Sequence, residues 1–115
     1  MKISELTWTE ATALVGLLRD LVQADDVYSK EEQGAIADVA RQMGRREFNE
    51  AVARAREQFK TRSDLKAYLK TVDRKEAREL IFEVALDVAE ADGLTADEQK
   101  PLDWLASWWK LRAPG

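Results

Sequence analysis

The sequence predicts an all-α protein: a single domain of about six helices. Three observations carry that prediction. Apolar residues recur at helical spacing in every long patterned segment, while strand-like alternation is absent and β-branched residues are scattered. Two prolines and five glycines in 115 residues leave little room for long loops. A helix-turn-helix unit also occurs twice. Asp20-Leu21-Val22-Gln23-Ala24-Asp25 matches Asp87-Val88-Ala89-Glu90-Ala91-Asp92, and Ser29-Lys30-Glu31-Glu32-Gln33 matches Thr95-Ala96-Asp97-Glu98-Gln99. The first copy has one extra residue in its turn.

The elements follow in order. Thr7 and Glu10 have capping-box spacing, which starts a first helix that runs to about Asp25. Ser29 and Glu32 repeat that spacing and open a second helix through Ile36, Val39 and Met43, stopped at Gly44. A third spans about Arg46 to Phe59, with Phe48, Val52, Ala55 and Phe59 on one stripe and Arg54, Arg56 and Lys60 towards solvent. A fourth, shorter helix starts at Ser63-Asp64 and carries Leu65, Tyr68, Leu69 and Val72. Asp73 and Glu76 give a further capping spacing ahead of the apolar fifth helix. The sixth opens at Thr95 and contains Pro101, which removes one N–H, so a local bend or an irregular start is expected. The two acidic units are expected to pack as a pseudo-symmetric pair bridged by the basic middle helices. The whole chain, residues 1–115, is read as one domain with its core in about 7–112.

Composition narrows the chemistry. There is no cysteine and no histidine, so thiolate chemistry, Cys- or His-based metal sites and the commonest general base are excluded. Any metal site must be all oxygen, suited to Ca²⁺, Mg²⁺ or Mn²⁺. No organic cofactor and no enzyme activity are expected, because neither a nucleophile with its base nor a phosphate-cradling glycine loop is present. No apolar h-region follows Met1-Lys2 and no apolar run is long enough to span a membrane, which predicts a cytoplasmic protein. The net charge of −4 divides unevenly: residues 41–78 carry 12 Lys/Arg against 6 Asp/Glu, and the remainder is acidic. The basic middle is interrupted by Glu47, Glu50 and Glu57 and matches no nucleic-acid motif, so a solvated face is expected rather than polyanion binding.

The turns hold the candidate site. On a helical wheel Asp92 falls in the middle of the apolar arc formed by Leu80, Ile81, Val84, Ala85 and Val88, and Asp25 falls likewise in the first copy. Both also lie at helix C-termini, where a negative charge is disfavoured by about 0.3–1 kcal/mol. A positive partner is therefore expected at each. Either the N–H groups at the start of the next helix accept that role, locking a tight turn, or a hard cation does. Glu32 and Glu98 read either as capping-box partners of Ser29 and Thr95 or as further ligands. Asp20 and Asp87, at the polar edges of their helices, read as solvated groups or outer candidates. An EF-hand is excluded: with Gly93 at its sixth position, Val88 and Gln99 would fall where carboxylates are needed. Trp104, Trp108 and Trp109 cannot all face one way, so at least one enters the core and one is partly exposed; Trp8 is expected near them.

Ala91-Asp92-Gly93 followed by Thr95 and Glu98, with Ala24-Asp25-Asp26 followed by Ser29, Glu31 and Glu32, resembles the tellurite-resistance TerB-like family over about Ala11 to Leu111. The resemblance implies an all-helical fold built on a repeated helix-turn-helix pair. It also implies a divalent-metal site at Asp25, Glu31 or Glu32, Asp92 and Glu98, with Asp20 and Asp87 as further candidates. A role in a stress, chemical-resistance or envelope-associated system follows from the same likeness, with peripheral membrane association as one setting. The chain departs from the pattern where Asp26 replaces the usual glycine and where the second turn is one residue short. The alternative is a metal-free protein-interaction domain that meets its partner through exposed tryptophans or the basic helices.

Overall fold

A computed structural model describes residues 1–23, 30–91, 93 and 96–111. A 3-10 turn at Ile3–Glu5 leads into six α-helices: α1 Trp8–Gln23, α2 Lys30–Met43, α3 Arg45–Gln58, α4 Arg62–Leu69, α5 Lys75–Glu90 and α6 Ala96–Trp109. No strand occurs among the described residues.

The expected capping box at α1 is formed. The Thr7 N–H donates to Glu10 Oε1 at 2.8 Å, and the Glu10 N–H donates to Thr7 Oγ1 at 3.2 Å. Two orphan amides of the first turn are thereby satisfied. Gly44 does end α2, with φ at +106°, a backbone angle that glycine tolerates and other residues resist. α4 begins one residue earlier than Ser63: Thr61 is its N-cap, accepting from the Asp64 N–H at 3.2 Å, while Asp64 accepts from the Thr61 N–H at 3.1 Å. Asp73 does not cap α5. Arg74 is the N-cap residue and makes no side-chain cap bond; its guanidinium is committed to Glu10. α6 is continuous through Pro101, which is buried at its sixth position. The capping positions Ser29 and Thr95, like Asp25, Asp26 and Asp92, lie outside the described residues.

α1 is the central element. α3 lies along it, and α4, α5 and α6 also pack on it. Its run from Ala11 to Leu18 is buried on nearly all sides, which the apolar composition requires. α3 offers the small side chains Ala51 and Ala55, both fully buried, one turn apart. α5 is the equivalent of α1 in the duplication and packs directly against it. Each unit's second helix crosses to the other unit's first: α2 packs on α5, and α6 packs on α1 as well as on α5. The two units thus form the expected pseudo-symmetric pair.

The basic middle is less solvated than its composition suggests. Arg54 is half-buried rather than solvent-facing. Its Nε donates to Thr12 Oγ1 at 2.8 Å, and its guanidinium stacks over the Trp8 ring at 4.1 Å. Trp8 therefore lies against α3, not with the C-terminal tryptophans as expected. Lys66 and Lys70 of α4 sit over the rings of Trp104 and Trp108 at 4.9 and 4.4 Å. Trp109 is buried, and Trp108 is 37% exposed, as the i, i+4, i+5 spacing demands.

Candidate functional site

Glu32 and Glu98 are both 0% exposed. They occupy the third position of α2 and of α6, the same place in the two copies. The reason lies in the helix period. Glu32 precedes Ala35, Ile36, Val39 and Met43 at intervals of three and four, and Glu98 precedes Pro101, Leu102, Leu105 and Trp109 in the same way. Both carboxylates therefore project from apolar faces into the interior. Glu31, the neighbouring candidate, is exposed, so Glu32 is the inward member of that pair. Glu10, the capping-box glutamate at the third position of α1, is buried as well, and there Arg74 meets its charge; burial at this position is therefore compatible with capping but calls for a charge or hydrogen-bond partner. Glu32 and Glu98 are both engaged by neighbouring groups, as a buried carboxylate must be.

Asp20 and Asp87 are not alike. The Asp20 side chain is 13% exposed, and Arg62 Nε at the start of α4 donates to its Oδ1 at 3.0 Å. It is thus a paired group, not a solvated one. Asp87 is exposed, as expected, and lines a groove between α2 and α5. The Asp20–Arg62 pair spans 42 residues and left no local signature in the sequence.

Among the described residues, no three His, Cys, Asp or Glu side chains lie close enough to share an ion. Asp25 and Asp92 stand outside those residues. The fold buries one glutamate in each copy, a hard anionic group of the kind that Ca²⁺, Mg²⁺ or Mn²⁺ accepts. No described helix is long and apolar enough to cross a membrane.

A family model described as "Tellurite resistance protein TerB" matches residues 10–109. No curated protein and no solved structure matches the chain.

Proposed function

The chain belongs to the tellurite resistance protein TerB family, and on that premise we propose that it is a non-enzymatic helical module that binds a divalent cation through its acidic turns. The observation that carries this reading is the burial of Glu32 and Glu98 at matching positions. An ionised carboxylate taken out of water costs several kcal/mol unless positive charge or hydrogen bonds meet it. Glu10, buried at the third position of α1, shows one such charge being met, by Arg74. Two buried glutamates at the same place in both copies call for one explanation.

Glu32 and Glu98 would hold the ion, with Asp25 and Asp92 completing the set from the turns. Asp20 is already committed to Arg62 and Asp87 faces the surface, so the weight falls on the glutamates. A bound cation would supply fixed positive charge to the buried carboxylates. The absence of histidine, cysteine and any nucleophile with its base supports a binding module over a catalyst. Family membership supports a place in a stress or chemical-resistance system. A second reading has an observation of its own: both glutamates sit at the third helical position, where capping alone would employ them.

Thermal melting in the presence of Ca²⁺, Mg²⁺ and Mn²⁺ separates the two. An ion that binds only the folded chain raises stability by about 2.7 kcal/mol at a hundredfold excess over its dissociation constant. Asp92→Asn should abolish the shift while leaving the helical circular dichroism intact. No shift with any of the three cations would leave capping as the role of these groups.

A further inference from the structure

The duplication supplies an internal template for a surface that the cation reading does not touch. Residues of α1 and α5 correspond at a shift of 67, and those of α2 and α6 at a shift of 66. In the first half, the groove between α1 and α6 is filled by the segment 59–70. A Cβ on Gly16 would collide with the Phe59 ring, at Cε2 and, 2.7 Å away, at Cδ2. Arg62 bonds Asp20, and Leu65 is buried. Lys66 and Lys70 cover Trp104 and Trp108.

The equivalent groove, between α5 and α2, is open. It has a volume of about 500 Å³, and only residues 1–4 of the lead-in close one side of it. Such a size falls in the range of about 300–1,000 Å³ typical of ligand clefts. Its floor is apolar: Leu80, Val84 and Val88 of α5 face Ala35 and Val39 of α2. Exposure confirms the difference between the halves. Gly16 is buried, while its counterpart Glu83 is exposed; Asp20 is covered, while Asp87 is exposed.

Charge identifies the occupant. Gly16 of the filled groove corresponds to Glu83, and Trp104 corresponds to Asp38, so the open groove carries two more carboxylates than its twin. Asp38 is already bonded to Arg41 and Gln42. Glu83 and Asp87 take part in no ion pair among the described residues, and Lys2, the lysine lining the same groove, is paired with neither. We infer that the α2–α5 groove docks a short amphipathic helix of a partner protein, with apolar residues on the floor and an arginine or lysine on Asp87 and Glu83. That helix would stand where α4 stands in the other half, and Arg62 on Asp20 shows the contact it would make. Leu80 to Val88 spans about 12 Å of helix, a little over two turns, which suits a segment of about the length of α4.

A phage library of random 16-residue peptides, panned on the full chain, tests this. Enriched peptides should carry a basic residue between apolar residues at helical spacing. Synthetic versions should bind about tenfold more weakly to Asp87→Lys and to Glu83→Lys, since like charge now faces like. Glu57→Lys, the same change on the exposed face of α3, should leave binding unaltered. Both groove positions are exposed, so the variants should keep the native circular dichroism. Enrichment of acidic peptides, no enrichment, or equal loss in Glu57→Lys would overturn the assignment. So would a self-association, seen by sedimentation, that Asp87→Lys abolishes, because a second copy would then be the occupant.

Discussion

Arg74 holds Glu10 with two hydrogen bonds, Nε to Oε2 at 2.7 Å and Nη2 to Oε1 at 2.6 Å, across 64 residues of sequence. The same Glu10 Oε1 accepts from the Thr7 N–H. One carboxylate therefore starts α1 and ties it to the residue that starts α5, the equivalent helix of the other unit.

This pair sets a pH dependence. The Arg74 guanidinium, with the Thr7 bonds behind it, holds the Glu10 carboxyl below its ordinary value of 4.5, against a burial that pushes it up. A carboxyl that ionises more readily folded than unfolded stabilises the fold above its unfolded pKa. That contribution is lost as the pH falls through the folded value. Glu10→Gln should therefore cost about 1.5–3 kcal/mol near neutral pH, the range for a hydrogen bond to a charged group. The gap between native and variant should shrink as the pH drops below 4.5. Denaturant unfolding of both proteins across that range checks it; a gap independent of pH would contradict it.

Two glycine substitutions should act in opposite directions. Gly16→Ala gains the propensity of alanine in mid-helix, about 1 kcal/mol at most. The new methyl, however, meets the Phe59 ring and lies 3.0 Å from Leu65 Cδ1. Overpacking of this kind costs about 1–3 kcal/mol, so the variant should be less stable. Gly34→Ala, on the exposed side of α2 with nothing within 4 Å of the added carbon, should be more stable by about 0.5–1 kcal/mol. Melting temperatures of the two variants beside the native chain measure both signs.

Lys110 follows α6 with φ at +56°. The Leu111 N–H bonds back to Ala106 O at 2.8 Å, closing the helix. A side chain in this left-handed conformation costs about 1–2 kcal/mol that glycine avoids. Lys110→Gly should accordingly raise the unfolding midpoint in denaturant without changing its slope.

Much of this architecture was legible in the sequence, because it is local. Helix period placed all six helices, Thr7 and Glu10 announced their cap, and Gly44 and Gly93 both have positive φ where the turn reading needed them. Asp73 misled because a capping spacing says only that a side chain is within reach. Arg74 found a better use at Glu10, and that partner is far away in sequence. The burial of Glu32 and Glu98 was legible in principle: each continues the three-four spacing of an apolar face. The polarity of the residue hid it, since a glutamate after serine or threonine reads first as a cap. The Asp20–Arg62 pair, the stacking of Arg54 on Trp8 and the open α2–α5 groove were not legible. They depend on which helix covers which face, and the two copies share sequence but not neighbours.

Calorimetric titration with Ca²⁺, Mg²⁺ and Mn²⁺ tests the duplicated glutamates most directly, run on the native chain and on Glu32→Gln and Glu98→Gln. The account predicts saturable heat for the native protein with at least one of the three ions. Each single substitution, which keeps the shape and removes the charge, should weaken it by at least about tenfold, as losing a charged ligand costs more than 1.4 kcal/mol. Heats of dilution alone with all three ions, or undiminished binding by both variants, would contradict it.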